Sequence, residues 1–169
     1  LFQAPVSEVL EWEEERIVGI QRWLNRVWRV VHEAVAAGAL EDAERPKPED
    51  MGDSEAELWL MTQKTVESVT TALGETFALN TVVSDLTKLT NALAAVGPAP
   101  EAEAPRDRDT TSVLVHPRLF VDAATVLVQM LAPVCPAFAE ECWEVLRGTH
   151  HDNTYRSIFD SGFPTADQQ

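Results

Sequence analysis

The chain has only two cysteines, no unbroken run of 18 apolar residues, and 13 Lys and Arg against 28 Asp and Glu. Each shortage excludes something. Cys135 and Cys142 are seven apart on what reads as one helix, a rise of roughly 10 Å, beyond the roughly 7 Å between Cα atoms that a disulfide spans. Both are expected as free thiols. No Cys/His pair has zinc spacing. His150, His151 and Asp152 are consecutive, and adjacent side chains rarely converge on one ion, so an exposed loop is the expected reading there. The lack of a long apolar run leaves no candidate membrane helix, and no membrane partner is expected. The start, "LFQAPVSEVLEWEEE", has neither the basic region nor the apolar core of a secretory signal. Leu1 in place of an initiator Met points to a piece of a longer protein.

A formal net charge of −15 argues against nucleic acid as long as only the sum is considered, because phosphate binding needs local positive potential. The charge is unevenly placed. Between Glu41 and Glu57 eight acidic residues face only Arg45 and Lys47. "GPAPEAEAPRDRD", from Gly97 to Asp109, reads as a second exposed linker.

Alternating strand patterns and internal repeats are also lacking, and the remaining periodicity is helical. With 45% hydrophobic and 24% charged residues, the expectation is an all-α bundle of about five helices around one core. The first covers about Glu13 to Ala37 and stops near Gly38. Its apolar stripe is Ile17, Ile20, Leu24, Val27 and Val31, with Trp28 at the border. The second starts near Ser54, where Ser54 and Glu57 have the form of a capping box, and buries Trp59, Val66, Val69 and Leu73. Gly74 weakens the pattern before a third helix from about Phe77 to Val96, with Leu79, Val82, Val83, Leu86 and Leu93 inward. The fourth opens at Pro117 and uses Leu119, Phe120, Ala123, Leu127 and Met130. Pro133 ends it, and Pro136 starts a fifth carrying Phe138, Cys142, Val145 and Leu146, with Trp143 at its edge.

At 100° per residue, Arg22, Asn25, Arg26 and Arg29 fall at roughly 100° to 200° from Leu24, opposite the apolar stripe. Arginine's planar fork can donate two hydrogen bonds to one oxyanion, which makes such a ridge a candidate phosphate surface. The plain alternative is a solvated face paired with nearby Glu. Of the five tryptophans, Trp28 and Trp59 border apolar stripes and are expected in the core, whereas Trp23 is the candidate for partial exposure and base stacking. Glu140 and Glu141 are expected as early helix residues favoured by the helix dipole, with no acid–base role.

Four blocks, in order, resemble the helical anticodon-binding domain of bacterial-type leucyl-tRNA synthetase, a class I aminoacyl-tRNA synthetase. Leu10, Glu11 and Trp12, then Gly19, lead into Arg22, Trp23, Leu24, Asn25, Arg26, Val27, Trp28 and Arg29, similar to the family's Arg-Phe-Leu-x-Arg-Val-Trp-Arg helix with Trp23 for Phe. "QKTVESV" is similar to His-Lys-Thr-Ile-x-x-Val, and "FALNTVVSDLTKLTNAL" to the family's Asn-Thr helix, with Asn80, Thr81 and Asn91 at the matching polar positions. "LAPVCPAFAEECWEVL" resembles Leu-Ala-Pro-x-x-Pro-His-x-x-Glu-Glu-Leu-Trp. The chain departs at Gln63 and Ala137, where the family has His, at Cys142, where it has Leu, and at Trp59, Glu67 and Ser68, which replace the second helix's usual basic residues.

The resemblance implies an incoming segment over 1–12, a bundle over 13–149 with acidic linkers at 39–53 and 97–112, and an exit segment over 150–169 toward a further C-terminal domain. It implies a domain that docks tRNA(Leu) through its backbone, with Arg22, Trp23, Asn25, Arg26, Arg29 and Lys64 as tRNA-binding candidates and no catalytic or metal residue. ATP and Mg would serve leucylation in a separate catalytic domain, since neither His-Ile-Gly-His nor Lys-Met-Ser-Lys-Ser occurs here. Catalytic and editing domains of the same chain, a monomeric state, and a mitochondrial matrix location, with bacterial cytoplasm as the alternative, complete the expectation. An acidic helical protein-interaction module, or the equivalent domain of a valyl-, isoleucyl- or methionyl-tRNA synthetase, is the competing reading.

Overall fold

The computed structural model describes residues 14–37, 44–99, 113–147 and 156–167. Leu10 to Trp12, Gly38 and the His150–Asp152 trio lie outside the described residues. Five α-helices form among the described residues: α1 (Glu14–Ala36), α2 (Asp53–Thr71), α3 (Leu79–Ala95), α4 (Pro117–Leu131) and α5 (Pro136–Arg147). The apolar spacing accounts for α4 position by position: Leu119, Phe120, Ala123, Leu127 and Met130 are all buried, as are Ala124, Val128 and Leu131. This is the central helix, packed against each of the other four. Pro117 and Pro136 stand at the first positions of α4 and α5, where a missing N–H costs nothing and φ is already helical.

The chain departs from the expected pattern in several places. The capping carboxylate of α2 is Glu55, whose Oε2 accepts from the Gly52 N–H at 3.0 Å, in place of the Ser54–Glu57 pair. The same carboxylate reaches across to α4, where Oε1 accepts from the His116 N–H at 2.8 Å. One acid thus holds the starts of two helices. Beyond Thr71 the chain continues through a π-helical turn, Ala72–Thr76, so Gly74 sits within the turn. The left-handed position falls on Phe77, with φ 53°, and α3 begins only at Leu79.

The all-α bundle is present as expected, and among the described residues one small sheet accompanies it. Val96–Pro98 (β1) and Val113–Val115 (β2) pair in parallel, Val96 opposite Val113. Gly97 is buried in this pairing, so the first residues of the expected 97–112 linker are structured. Three-residue strands are too short to show a period-two pattern, which is why the sequence carries no sign of them. A 3-10 turn at Pro48–Asp50 likewise orders part of the 39–53 linker.

Candidate nucleic-acid interface

The face of α1 that enters the core is turned from the one centred on Leu24. Trp23, Val27, Val30, Val31 and Ala34 are buried, Ile17 is 37% exposed, and Leu24 and Trp28 are half-buried. Neighbours on two sides set this orientation. Toward α3, the Trp23 indole N–H donates to Thr90 Oγ1 at 3.0 Å. Toward α5, Trp28 lies 6.2 Å from the Phe138 ring and edge-on to His32. Trp23, expected as a partly exposed base-stacking residue, is 5% exposed. An aromatic this deep, with its one polar atom already bonded, offers no face to a base, so it leaves the candidate set. Trp143, expected at an edge, is also buried.

The remaining α1 candidates share one outward ridge. Arg22, Asn25 and Arg29 are exposed and Arg26 is half-buried. Arg26 Nε is buried and finds no hydrogen-bond partner among the described residues. Among the described residues, Arg45 pairs with Asp122 and Asp167, Lys88 with Asp85, and Arg118 with Asp122. No such pair engages Arg22, Arg26 or Arg29 among the described residues. A guanidinium without a carboxylate neighbour keeps its donors and its positive potential for an external anion.

Lys64 is separate from the ridge. It is exposed on α2 and borders an open groove of about 400 Å³ together with Glu67, Ser68, Thr71, Thr76 and Thr81. α3 and α4 each pack against both α1 and α2. Thr81 and Asn91 are exposed and Asn80 half-buried on α3. No group of three or more His, Cys, Asp or Glu that could hold a metal ion occurs among the described residues, and no described helix is long and apolar enough to cross a membrane.

Residues 55–169 match the anticodon-binding domain of tRNA ligase. The chain belongs to that family. Its full length is similar to proteins named leucine–tRNA ligase: 35% identical over 168 residues to the protein of Parasynechococcus marenigrum strain WH8102, and 33% over 170 residues to that of Trichormus variabilis. Each alignment covers 99% of this chain and 17% of the relative, so the domain spans about one sixth of those bacterial proteins. The fold is shared with the LeuRS chain of a ternary LeuRS-tRNA-LeuAMS complex from Agrobacterium radiobacter K84, with a TM-score of 0.70 and 21% identity over 98% of this chain and 18% of that one.

Proposed function

We propose that this domain docks tRNA(Leu) for a leucine–tRNA ligase, holding the nucleic acid by its phosphate backbone while catalysis takes place elsewhere in a longer polypeptide. The observation that carries the reading is the α1 ridge, where Arg22, Arg26 and Arg29 stand without carboxylate partners among the described residues, in a chain of net charge −15. Backbone contacts of this kind fix register and orientation and carry little sequence information. The two acidic linkers lie on other segments of the sequence, and their repulsion would restrict where on the domain RNA settles. An acidic protein-interaction module is the weaker reading, since it gives no use to an unpaired arginine ridge.

In this reading the partners are tRNA(Leu) and the catalytic and editing domains of the same polypeptide, which works as a monomer. ATP and Mg belong to the catalytic domain. Asn25 lies beside the arginines as a neutral donor for sugar or phosphate oxygen, and Lys64 contributes through its own groove on α2. The bacterial origin of the relatives supports bacterial cytoplasm over the mitochondrial matrix as the place of action. Titration of labelled leucine tRNA with the 169-residue chain over a salt series tests the proposal. Affinity that falls linearly on a log–log plot supports docking through phosphates, and no binding at low salt refutes it for this domain.

A further inference from the structure

Residues 156–167 cross three helices in turn. On α5, the Trp143 indole N–H donates to the Arg156 carbonyl at 3.2 Å. Glu140 accepts from the Ser157 hydroxyl and from the Ile158 N–H, a use of that carboxylate beyond the early-helix role expected of it. Ile158 is 2% exposed and belongs to the core. On α4, Gln129 Nε2 donates to Ser161 Oγ at 2.9 Å. The chain then turns at Gly162, whose φ of 77° and ψ of 167° suit only glycine. Beyond it, on α2, the Asp167 N–H donates to Gln63 Oε1 at 2.7 Å. Arg45 closes the crossing: Nη1 meets Asp167 Oδ2 at 3.1 Å, while Nε meets Asp122 Oδ2 at 2.9 Å.

The two halves are held by different physics. Residues 156–161 are anchored by a buried apolar side chain and partly buried hydrogen bonds. Residues 163–167 are held by Ala166 resting against the core, one exposed hydrogen bond and an exposed ion pair, whose side chains are 45% and 50% exposed. Exposed pairs contribute about 0.2–1 kcal/mol each and are screened by salt. We propose that residues 156–167 form a strap with a fixed half and a releasable half, pivoting at Gly162, and that Arg45 and Gln63 are the positioning residues that catch it. Arg45 then has a task within the acidic segment: it ties the stretch before α2, the second turn of α4 and Asp167 to one point. The catch sets the path of residues 163–167 across α4 and α2, independently of how the α1 ridge is used.

The test is 15N relaxation on the whole 169-residue chain, comparing native protein with Arg45→Met and with Arg45→Met/Gln63→Leu. Order parameters across 163–167 are expected to fall from about 0.85 to below about 0.6 in the double variant, with the single variant between. Native protein should move the same way from about 50 mM to about 500 mM salt. The Ile158 amide should keep its hydrogen-exchange protection throughout, a separation that general loosening of the bundle would not produce. Unchanged order across 163–167 in the double variant would overturn the catch, and joint loss of 156–167 would overturn the pivot.

Discussion

The Trp23 indole N–H and the Thr90 hydroxyl meet 3.0 Å apart inside the bundle, and the same hydroxyl donates onward to the Leu86 carbonyl at 2.7 Å. This short relay joins α1 to α3 through two residues that are 5% and 0% exposed. It lets a tryptophan occupy a position where the resemblance leads one to expect Phe, because the added polar atom has a partner.

Thr90→Val should therefore cost about 1–3 kcal/mol, the penalty for leaving a buried indole N–H unpaired. Trp23→Phe should cost about 0.5–3 kcal/mol through lost packing and the lost bond. In urea denaturation the double variant should be less destabilised than the sum of the singles, with a coupling of about 0.5–3 kcal/mol. Strict additivity would mean that the bond contributes nothing.

Glu55 is the second structural joint. Its two oxygens take the Gly52 and His116 N–H groups, at the starts of α2 and α4. Glu55→Ala removes both acceptors and should cost up to about 3–6 kcal/mol, the scale of two hydrogen bonds to a charged group. Glu55→Gln keeps one acceptor and should lose roughly half as much. Equal stability of the two variants in thermal or urea melts would contradict the two-oxygen role.

Much of this architecture was legible in the residues. Pro117 and Pro136 mark the starts of α4 and α5 because proline's fixed φ leaves few other places for them within a helical pattern. The five apolar positions read for α4 are all inward because that helix is enclosed by the other four. Other features depended on partners far along the chain. The rotation of α1 follows from Thr90, 67 residues away, and Phe138, more than a hundred away, so a helical wheel drawn from Leu24 could not locate it. A threonine within the apolar run of α3 was the available sign that a polar partner lay opposite. Glu55 read as one charge in an acidic segment, and nothing local distinguishes it from Glu57. The α1 arginine ridge was visible from spacing alone, whereas its lack of carboxylate partners among the described residues required three-dimensional placement.

Cys142 provides a chemical check on the packing. Burial, followed by the charges of Cys135 and Glu141, pushes its thiol up from 9.0 to about 12. The native state thus holds this proton more tightly than the unfolded chain. The stability it contributes is fully present below about pH 9 and is lost as pH rises toward about 12, by up to about 1.4 kcal/mol per pH unit. At about pH 8, Ellman's reagent should modify the half-buried Cys135 in native protein and reach Cys142 only after denaturation. Two thiols reacting at the same native rate would contradict the burial of Cys142.

The central claim is that the α1 ridge binds RNA through phosphate. It is tested most directly by comparing native chain with an Arg22→Glu/Arg26→Glu/Arg29→Glu variant, matched for helicity by circular dichroism, in titrations of leucine tRNA across a salt series. Each lost phosphate contact should reduce the slope of log affinity against log salt by about 0.7–0.9, so the triple variant should lose about 2–3 from the slope and bind weakly even at low salt. Native-like affinity and an unchanged slope in the variant would show that the ridge is a solvated helix face and that the RNA, if held at all, is held elsewhere.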